Sequence, residues 1–314
     1  MSRRHRFLTL GLALVLGPAI GGASPAVSVA RLTDAATTTK ALTTDTLNPP
    51  TSLAAIGGVS AALTWTATTS TYATGYEMRR ATVSGGPYSL VTTVTPRTIV
   101  AATDTPAASG TYYYVLRSDF QNWISVDSNQ ASAVVLLPPT ATGFKPCTGT
   151  SNSADTGGDG NGYETSPANG CAADLAVATD ANSGTTTTIS CTNTGKDRHR
   201  FWDYGLGIPA AVNSVGGIQV RVNEGISSIS GTNQICIELS SNGGSTWTTA
   251  KSVALTATAI TTYNLGATND TWGRSWAGSD FSNTNFRVRI TDVSSATTKS
   301  FLLDYVAVQV TYIP

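Results

Sequence analysis

A chain of 314 residues, with 19 basic and 19 acidic side chains, has room for about two domains, each with its own core. Three of the basic residues (Arg3, Arg4, Arg6) sit in an acid-free leader, so the remainder is slightly acidic and lacks the dense Lys and Arg that nucleic-acid phosphates reward. No nucleic-acid partner is therefore expected.

Residues 1–30 read as an export signal: "MSRRHR" is a positive start, "FLTLGLALVLGPAI" an apolar stretch, and "GGASPAVSVA" a run of small residues suited to cleavage. Residues 7–30 carry no charge, so an uncleaved leader is the one route by which this chain would contact a membrane. Residues 31–47 form a Thr- and Ala-rich tract without apolar period, read as a linker.

From residue 48 to 137 the pattern changes to short β-rich runs, "AALTWTA", "TGYEMRRAT", "YSLVTTV", "TYYYVLRSD" and "NQASAVVLL", with turn residues such as Gly85, Gly86 and Pro87 between them. On "NPPTSLAA", Trp65 in "LTWTA", Tyr76 in "GYEMRR" and the pair Tyr112 and Tyr114 in "GTYYYVLRSD", this stretch resembles a fibronectin type III domain. The resemblance implies a β-sandwich in which Trp65 and the tyrosines fill the core. The loop "SDFQNWISVDSN" has no RGD, and only Phe120 and Trp123 in it offer side chains for a contact.

Residues 138–142 form a Pro-marked linker, and a second module runs from 143 to 314. Its strands alternate strictly: Ile218, Val220 and Val222 against Gln219, Arg221 and Asn223; Ile235, Ile237 and Leu239 against Cys236 and Glu238; Phe286, Val288 and Ile290 against Arg287 and Arg289. Such alternation predicts antiparallel sheets with one dry and one wet face. Through "GLGIPAAVNSVGGIQVRV", "IELSSNGGSTWTTAK", "NDTWGRSWAGSDFSNTNFRVRITDV" and "FLLDYVAVQVTY", the module resembles jelly-roll β-sandwiches of bacterial secreted proteins and carbohydrate-binding modules. The expected fold class is all-β, two tandem β-sandwiches.

All four cysteines lie in the second module without a CxxC pair, which points to disulfides over zinc or redox chemistry. Of the three connectivities, Cys147 with Cys171 and Cys191 with Cys236 is favoured because each closes a local loop.

Nucleophilic catalysis lacks its parts: outside the leader His199 is the only histidine, no GxSxG occurs, and the cysteines are paired. No two acids stand out as a glycosidase pair, so no enzyme is expected. The loop "ADTGGDGNGYE" offers Asp155, Asp159, Asn161 and Glu164 as hard oxygen ligands for a structural Ca2+, set against the plainer reading of a solvated polar turn; no other cofactor is indicated. Sugar binding needs flat aromatics beside hydrogen-bonding groups, and Trp247, Trp272 and Trp276 sit near turns, where they either meet ligand or plug the sandwich ends. A second candidate surface is a polar sheet face of Gln219, Arg221, Glu238, Arg287 and Arg289.

"GKDRHRFWDYG" concentrates the rare residues. As a strand it places Lys196, Arg198, Arg200, Trp202 and Tyr204 on one face and Asp197, His199, Phe201 and Asp203 on the other. Trp202 and Tyr204 are read as packing or ligand-rim aromatics. Asp304 shares parity with Val306, Val308 and Val310, so it points coreward and needs a partner, expected to be Arg198, Arg200 or Arg274. The functional expectation is an extracellular or cell-surface, non-catalytic protein whose second sandwich meets extracellular glycan. The alternatives are a surface-assembly component with protein contacts and an accessory of polysaccharide degradation.

Overall fold

The computed structural model describes residues 45–314, and the expected export signal and most of the Thr-rich linker lie outside the described residues. Thr46–Pro314 is one compact unit built of two β-sandwiches. Among the described residues there is no α-helix, and the helical turns are the two 3-10 segments Pro167–Gly170 and Gly278–Phe281.

In the first sandwich β1 (Thr51–Ile56), β2 (Ala61–Thr66) and β5 (Ala101–Asp104) form one sheet. The other contains β3 (Gly75–Ala81), β4 (Ser89–Val94), β6 (Gly110–Phe120), β7 (Trp123–Ile124) and β8 (Ala131–Val135). In β2 alternate residues are buried, so Ala61, Leu63 and Trp65 face inward. Trp65 meets Tyr76 edge-on at 5.5 Å, and Leu53, Met78, Tyr112, Tyr114 and Leu116 complete the core, the role the fibronectin resemblance implied. Buried Asp104 is satisfied by Tyr114 Oη at 2.9 Å and Arg80 Nη1 at 2.8 Å. Of the two loop aromatics, Phe120 packs edge-on against Tyr72, whereas Trp123 is 56% exposed.

The second sandwich begins inside the expected linker, because β9 (Thr140–Ala141) already pairs with the last strand, β19 (Phe301–Ile313). Its first sheet runs β10 (Lys145–Pro146), β19, β14 (Ser214–Ile226), β17 (Thr261–Gly266), with β12 (Ala178–Asp180) also on β19. The second runs β11 (Asn152–Ala154), β13 (Arg198–Phe201), β18 (Arg287–Ser294), β15 (Asn233–Ser240), β16 (Lys251–Ala254). Inward pairs such as Val220 with Val308 and Val222 with Val306 in one sheet face Ile237 with Ile290 and Leu239 with Val288 in the other. The cysteines pair as Cys147–Cys171 and Cys191–Cys236, closing loops of 24 and 45 residues.

Asp304 departs from expectation. It is buried, but none of Arg198, Arg200 and Arg274 is its partner. The register of β14 on β19 shifts between Asn223 and Glu224, where Tyr305 and Leu303 are the successive partners, so Asp304 is the extra residue of a bulge. The bulge reverses which parity faces inward: Phe301 and Leu303 before it, Val306, Val308 and Val310 after it. Asp304 Oδ1 accepts the backbone N–H groups of Asp174 (3.2 Å) and Leu175 (2.6 Å), and Oδ2 lies 3.5 Å from Asn223 Nδ2. A loop, not a guanidinium, satisfies it. Replacing Asp304 by Ala strands two backbone donors and is expected to cost about 2 kcal/mol in urea unfolding, whereas Asp304→Asn, which keeps an acceptor oxygen, costs less.

Candidate functional site

β13 is a four-residue strand between β11 and β18, and its period of two sends His199 and Phe201 inward and Arg198 and Arg200 outward. Register sets Arg200 directly opposite Arg289 of β18. Two guanidinium groups so placed repel. Asp155, one residue past β11, lies between them, with Oδ2 3.2 Å from Arg289 Nη1 and Oδ1 3.7 Å from Arg200 Nε. On the other side Glu238 of β15 is the register partner of Arg289 and takes its Nε at 2.8 Å and Nη2 at 2.7 Å. Arg289 is thus held by two carboxylates, and its guanidinium lies 4.2 Å from the ring centre of Trp247.

Around this clamp Arg287 lies over Trp202 at 4.8 Å. Arg198 donates to the carbonyls of Thr156 (3.2 Å) and Asn193 (3.0 Å). The Cys191–Cys236 disulfide anchors the preceding loop to the outward side of β15, and there outward-facing Thr291 and Val293 are fully buried. The opposite end, with Arg200, Arg287, Trp202 and Trp247, is partly exposed.

Trp247 also lines a cleft of about 470 Å³ together with Thr246, Thr248, Lys251, Trp272 and Arg274. The turn before it, Gly243 and Gly244, has φ of +72° and +93°, which a side chain would strain. A Cβ on Gly244 would also lie 3.3 Å from the Trp247 ring and 3.5 Å from Arg200 Nη1, so the turn packs closely against both. Lys251 pairs with Asp270 at 2.9 Å and sits 5.2 Å from the Trp272 ring centre, and Arg274 covers Trp276 at 4.4 Å.

The three expected sugar-facing tryptophans divide. Trp247 is partly exposed; Trp272 and Trp276 are 4% and 7% exposed, their indole N–H groups spent on the carbonyls of Ile218 (2.9 Å) and Thr271 (2.8 Å). These two plug the end of the sandwich, although Trp272 still shows an edge to the cleft. Tyr204 is buried against Phe286, because the strand ends at Phe201 and Asp203 turns left-handed (φ +63°); Lys196, which lies before the strand, is buried as well. The single polar face expected from Gln219, Arg221, Glu238, Arg287 and Arg289 is split between two sheets: the first two belong to β14, the others to β15 and β18.

The expected cation ligands are engaged separately. Asp155 serves the arginine pair, Asp159 Oδ2 accepts from Asn182 Nδ2 (3.1 Å), and Glu164 Oε1 accepts from Ala181 N (2.9 Å). Asn161 Oδ1 is buried without a hydrogen-bond partner. Among the described residues no group of three or more His, Cys, Asp or Glu is arranged to hold a metal ion.

A second cluster escaped the sequence reading. Asp180, Glu224 and Asp292 project between the sheets, 0%, 0% and 2% exposed. Tyr163 Oη lies 2.9 Å from Glu224 Oε1 and 3.1 Å from Asp292 Oδ1. Burial, then mutual repulsion, raises their proton affinities: Asp180 to about 11, Glu224 to about 8, and Asp292 well above the usual carboxylate range. Asp197 is raised to about 7, chiefly by burial. His199 is lowered to about 4 by burial and by Arg200; its Nδ1 accepts Tyr163 N–H at 3.2 Å, so it is neutral with the proton on Nε2, facing Asn152 Oδ1. Lys196 Nζ, also buried, donates to Ser183 Oγ (3.1 Å) and to the carbonyls of Thr186 (2.5 Å) and Ser294 (2.7 Å). Of these groups, the Tyr163 hydroxyl with Glu224 and Asp292 links β14 of one sheet to β18 of the other.

No protein family model matches the chain, and no curated protein matches it. Among solved structures it is similar to an Fn3-like protein from Clostridium thermocellum at 33% identity, over 28% of this chain and 93% of that one, with a TM-score of 0.26. It is also similar to the CBM22-1 and GH10 modules of an endo-1,4-beta-D-xylanase from Clostridium thermocellum (10% identity, 55% of this chain and 28% of that one, TM-score 0.22). A third likeness is to the CBM51-2 and INT domains of a Clostridium perfringens protein (9% identity, 66% and 38%, TM-score 0.21). The chain thus spans well under half of the last two chains.

The Arg289 clamp predicts that Asp155→Ala, which leaves Arg200 and Arg289 facing each other unshielded, lowers stability by about 1 kcal/mol, measurable as a fall in Tm. Asp159→Ala, which loses contacts to the Asn182 amide and the Asp197 carboxyl but leaves no arginine pair unshielded, changes it by less. The buried acids predict a pH dependence. Their folded proton affinities lie above those of the unfolded chain, so the folded state binds the extra protons; this stability is complete below pH about 4 and lost as pH rises through 7 to 8 and beyond. His199 acts in the opposite sense only between about 4 and 6.5. Between pH 6.5 and 9 the unfolding free energy should fall, with a limiting slope of about 1.4 kcal/mol per pH unit for each proton released. Glu224→Gln, which does not titrate, should flatten that slope.

Proposed function

We propose that this protein is an exported, non-catalytic binding protein whose second, jelly-roll-like sandwich presents the Trp247 cleft to extracellular glycan, with the fibronectin-like sandwich as a spacer. The observation that carries this reading is the cleft itself. A partly exposed indole stands beside the Thr246 and Thr248 side chains, Lys251 and Arg274, which is the combination a pyranose needs: an apolar ring face for its C–H bonds and polar groups for its hydroxyls. Export agrees with the two disulfides, which persist in oxidising compartments, and with the character of residues 1–30. Asp180, Glu224 and Asp292 are buried between the sheets, out of reach of a polysaccharide.

A second reading, a surface-assembly component with protein partners, is favoured by the first sandwich, where Trp123, Ile124 and Val126 are 56%, 48% and 73% exposed within four residues.

A panel of immobilised glycans probed with the protein should show retention on at least one, and Trp247→Ala should weaken it by about tenfold or more, as expected for loss of a stacked ring. Trp272→Ala is expected to lower Tm first, since that ring is structural. No retention on any glycan, together with oligomers that grow with concentration and vanish in Trp123→Ser, would establish the second reading instead.

A further inference from the structure

We propose that the open end of the β13–β18–β15 face recognises the carboxylate groups of an acidic polysaccharide, with Arg200 and Arg287 as the carboxylate-binding residues and Trp202 and Trp247 flanking them. The inference rests on the glycan-binding reading above and names the class of glycan.

Four guanidinium groups point out of this face, yet only Arg289 has carboxylates at hydrogen-bonding distance. Arg200 comes no nearer to an acid than 3.7 Å, its Nε has no hydrogen-bond partner, and its side chain is 32% exposed. Arg287 donates through Nη1 to the carbonyls of Asn283 and Phe286, both at 2.8 Å. The acid that most favours its charge, Asp203, already accepts from Thr148 Oγ1 (3.2 Å) and Ser151 Oγ (3.3 Å). Arg198 is spent on carbonyls in the same way.

The surplus is felt within the face. After burial, the largest influence lowering the proton affinity of Arg287 is Arg200, and that of Arg198 is Arg289. An anion placed between Arg200 and Arg287 relieves this repulsion, and a planar carboxylate matches a guanidinium fork. The aromatic neighbours select what bears the carboxylate. Trp202 underlies Arg287, and Trp247 contacts both Arg289 and the Gly244 turn that adjoins Arg200, so a sugar chain passing over the arginines meets an indole on either side. A dense polyphosphate is disfavoured, because the chain beyond its leader is slightly acidic and this cluster amounts to four arginines, one of them already neutralised by two carboxylates.

The test measures calorimetric binding of the full chain to polygalacturonate, neutral xylan, poly-glutamate and single-stranded DNA. Polygalacturonate should bind best, with affinity falling severalfold between about 50 and 500 mM NaCl as screening shortens the reach of the arginines. Arg200→Gln should weaken it about tenfold, the loss of one charge-assisted hydrogen bond, with its melting curve as the check on folding. The salt series needs no variant and tests the idea even if that protein folds poorly. Xylan bound as well as polygalacturonate, indifferent to salt and to Arg200→Gln, would overturn the proposal and leave the glycan reading standing. Equal binding of poly-glutamate or DNA would overturn it as a generic polyanion surface, and retention of no polysaccharide at all would remove both.

Discussion

The pairing of β14 with β19, thirteen residues each, is the constraint on which the second sandwich depends. Side chains on paired strands keep the same two-residue period, so the choice of Val220 and Val222 as inward residues also fixes Val308 and Val306, and through them the whole dry interface. One residue more on either strand would turn every later side chain over. β19 contains such a residue. The bulge at Asp304 lets Phe301 and Leu303 face inward on one side of it and Val306, Val308 and Val310 on the other. Two backbone donors from the 174–175 loop occupy the carboxylate that the bulge displaces, which ties the loop to the strand at the point where the period changes.

The same period explains why charged groups occur on both sides of one strand in β18. Arg287 and Arg289 point out, while Val288, Ile290 and Asp292 point in. Outside, cations accumulate at β13 and β18 because Arg198 and Arg200 fall on the outward parity as well, and register brings Arg200 opposite Arg289. That contact would be repulsive without an acid from elsewhere, and Asp155 supplies it from the strand end next door. Inside, Asp292 meets Glu224 from the facing sheet and Asp180 from β12. Three carboxyls in so small a dry volume cannot all ionise, so protons and the Tyr163 hydroxyl take the place of solvent.

Much of this was legible in the sequence. The alternation in "GIQVRVN", "QICIELS" and "FRVRITD" identified dry faces correctly because no bulge interrupts those runs, and local loop closure sufficed for both disulfides. The buried acids were also written there: Glu224 shares the parity of Val220 and Val222, and Asp292 that of Val288 and Ile290. Reading a carboxylate as solvated by default hid them. The partner of Asp304 was not legible, since a bulge leaves no mark on periodicity, and the loop that satisfies it is 129 to 130 residues away. Nor was the role of Asp155. Its Gly-rich surroundings suggest a cation loop, while its real partner, Arg289, lies 134 residues further on and meets it only through the β11–β13–β18 order. The split among the tryptophans depended on which turn closes over which sheet end, and that too is a tertiary property.

The arginines outside β18 and the carboxyl inside it are one fact seen from two faces. In β18 the acid that might have neutralised Arg287 and Arg289 sits at position 292, on the opposite parity, and a strand held on both edges cannot rotate to bring it out. Asp155 and Glu238 offset Arg289 from neighbouring elements, which leaves Arg200 only the longer contact to Asp155 at 3.7 Å and Arg287 the carbonyls of Asn283 and Phe286. A sheet whose core needed only stability would be better served by Asn or a hydrophobic residue at 292 and by Lys or Thr, with their free rotation and weaker mutual confinement, at 200 and 287. Planar donors beside two indoles match instead the carboxylate ligand proposed for this face.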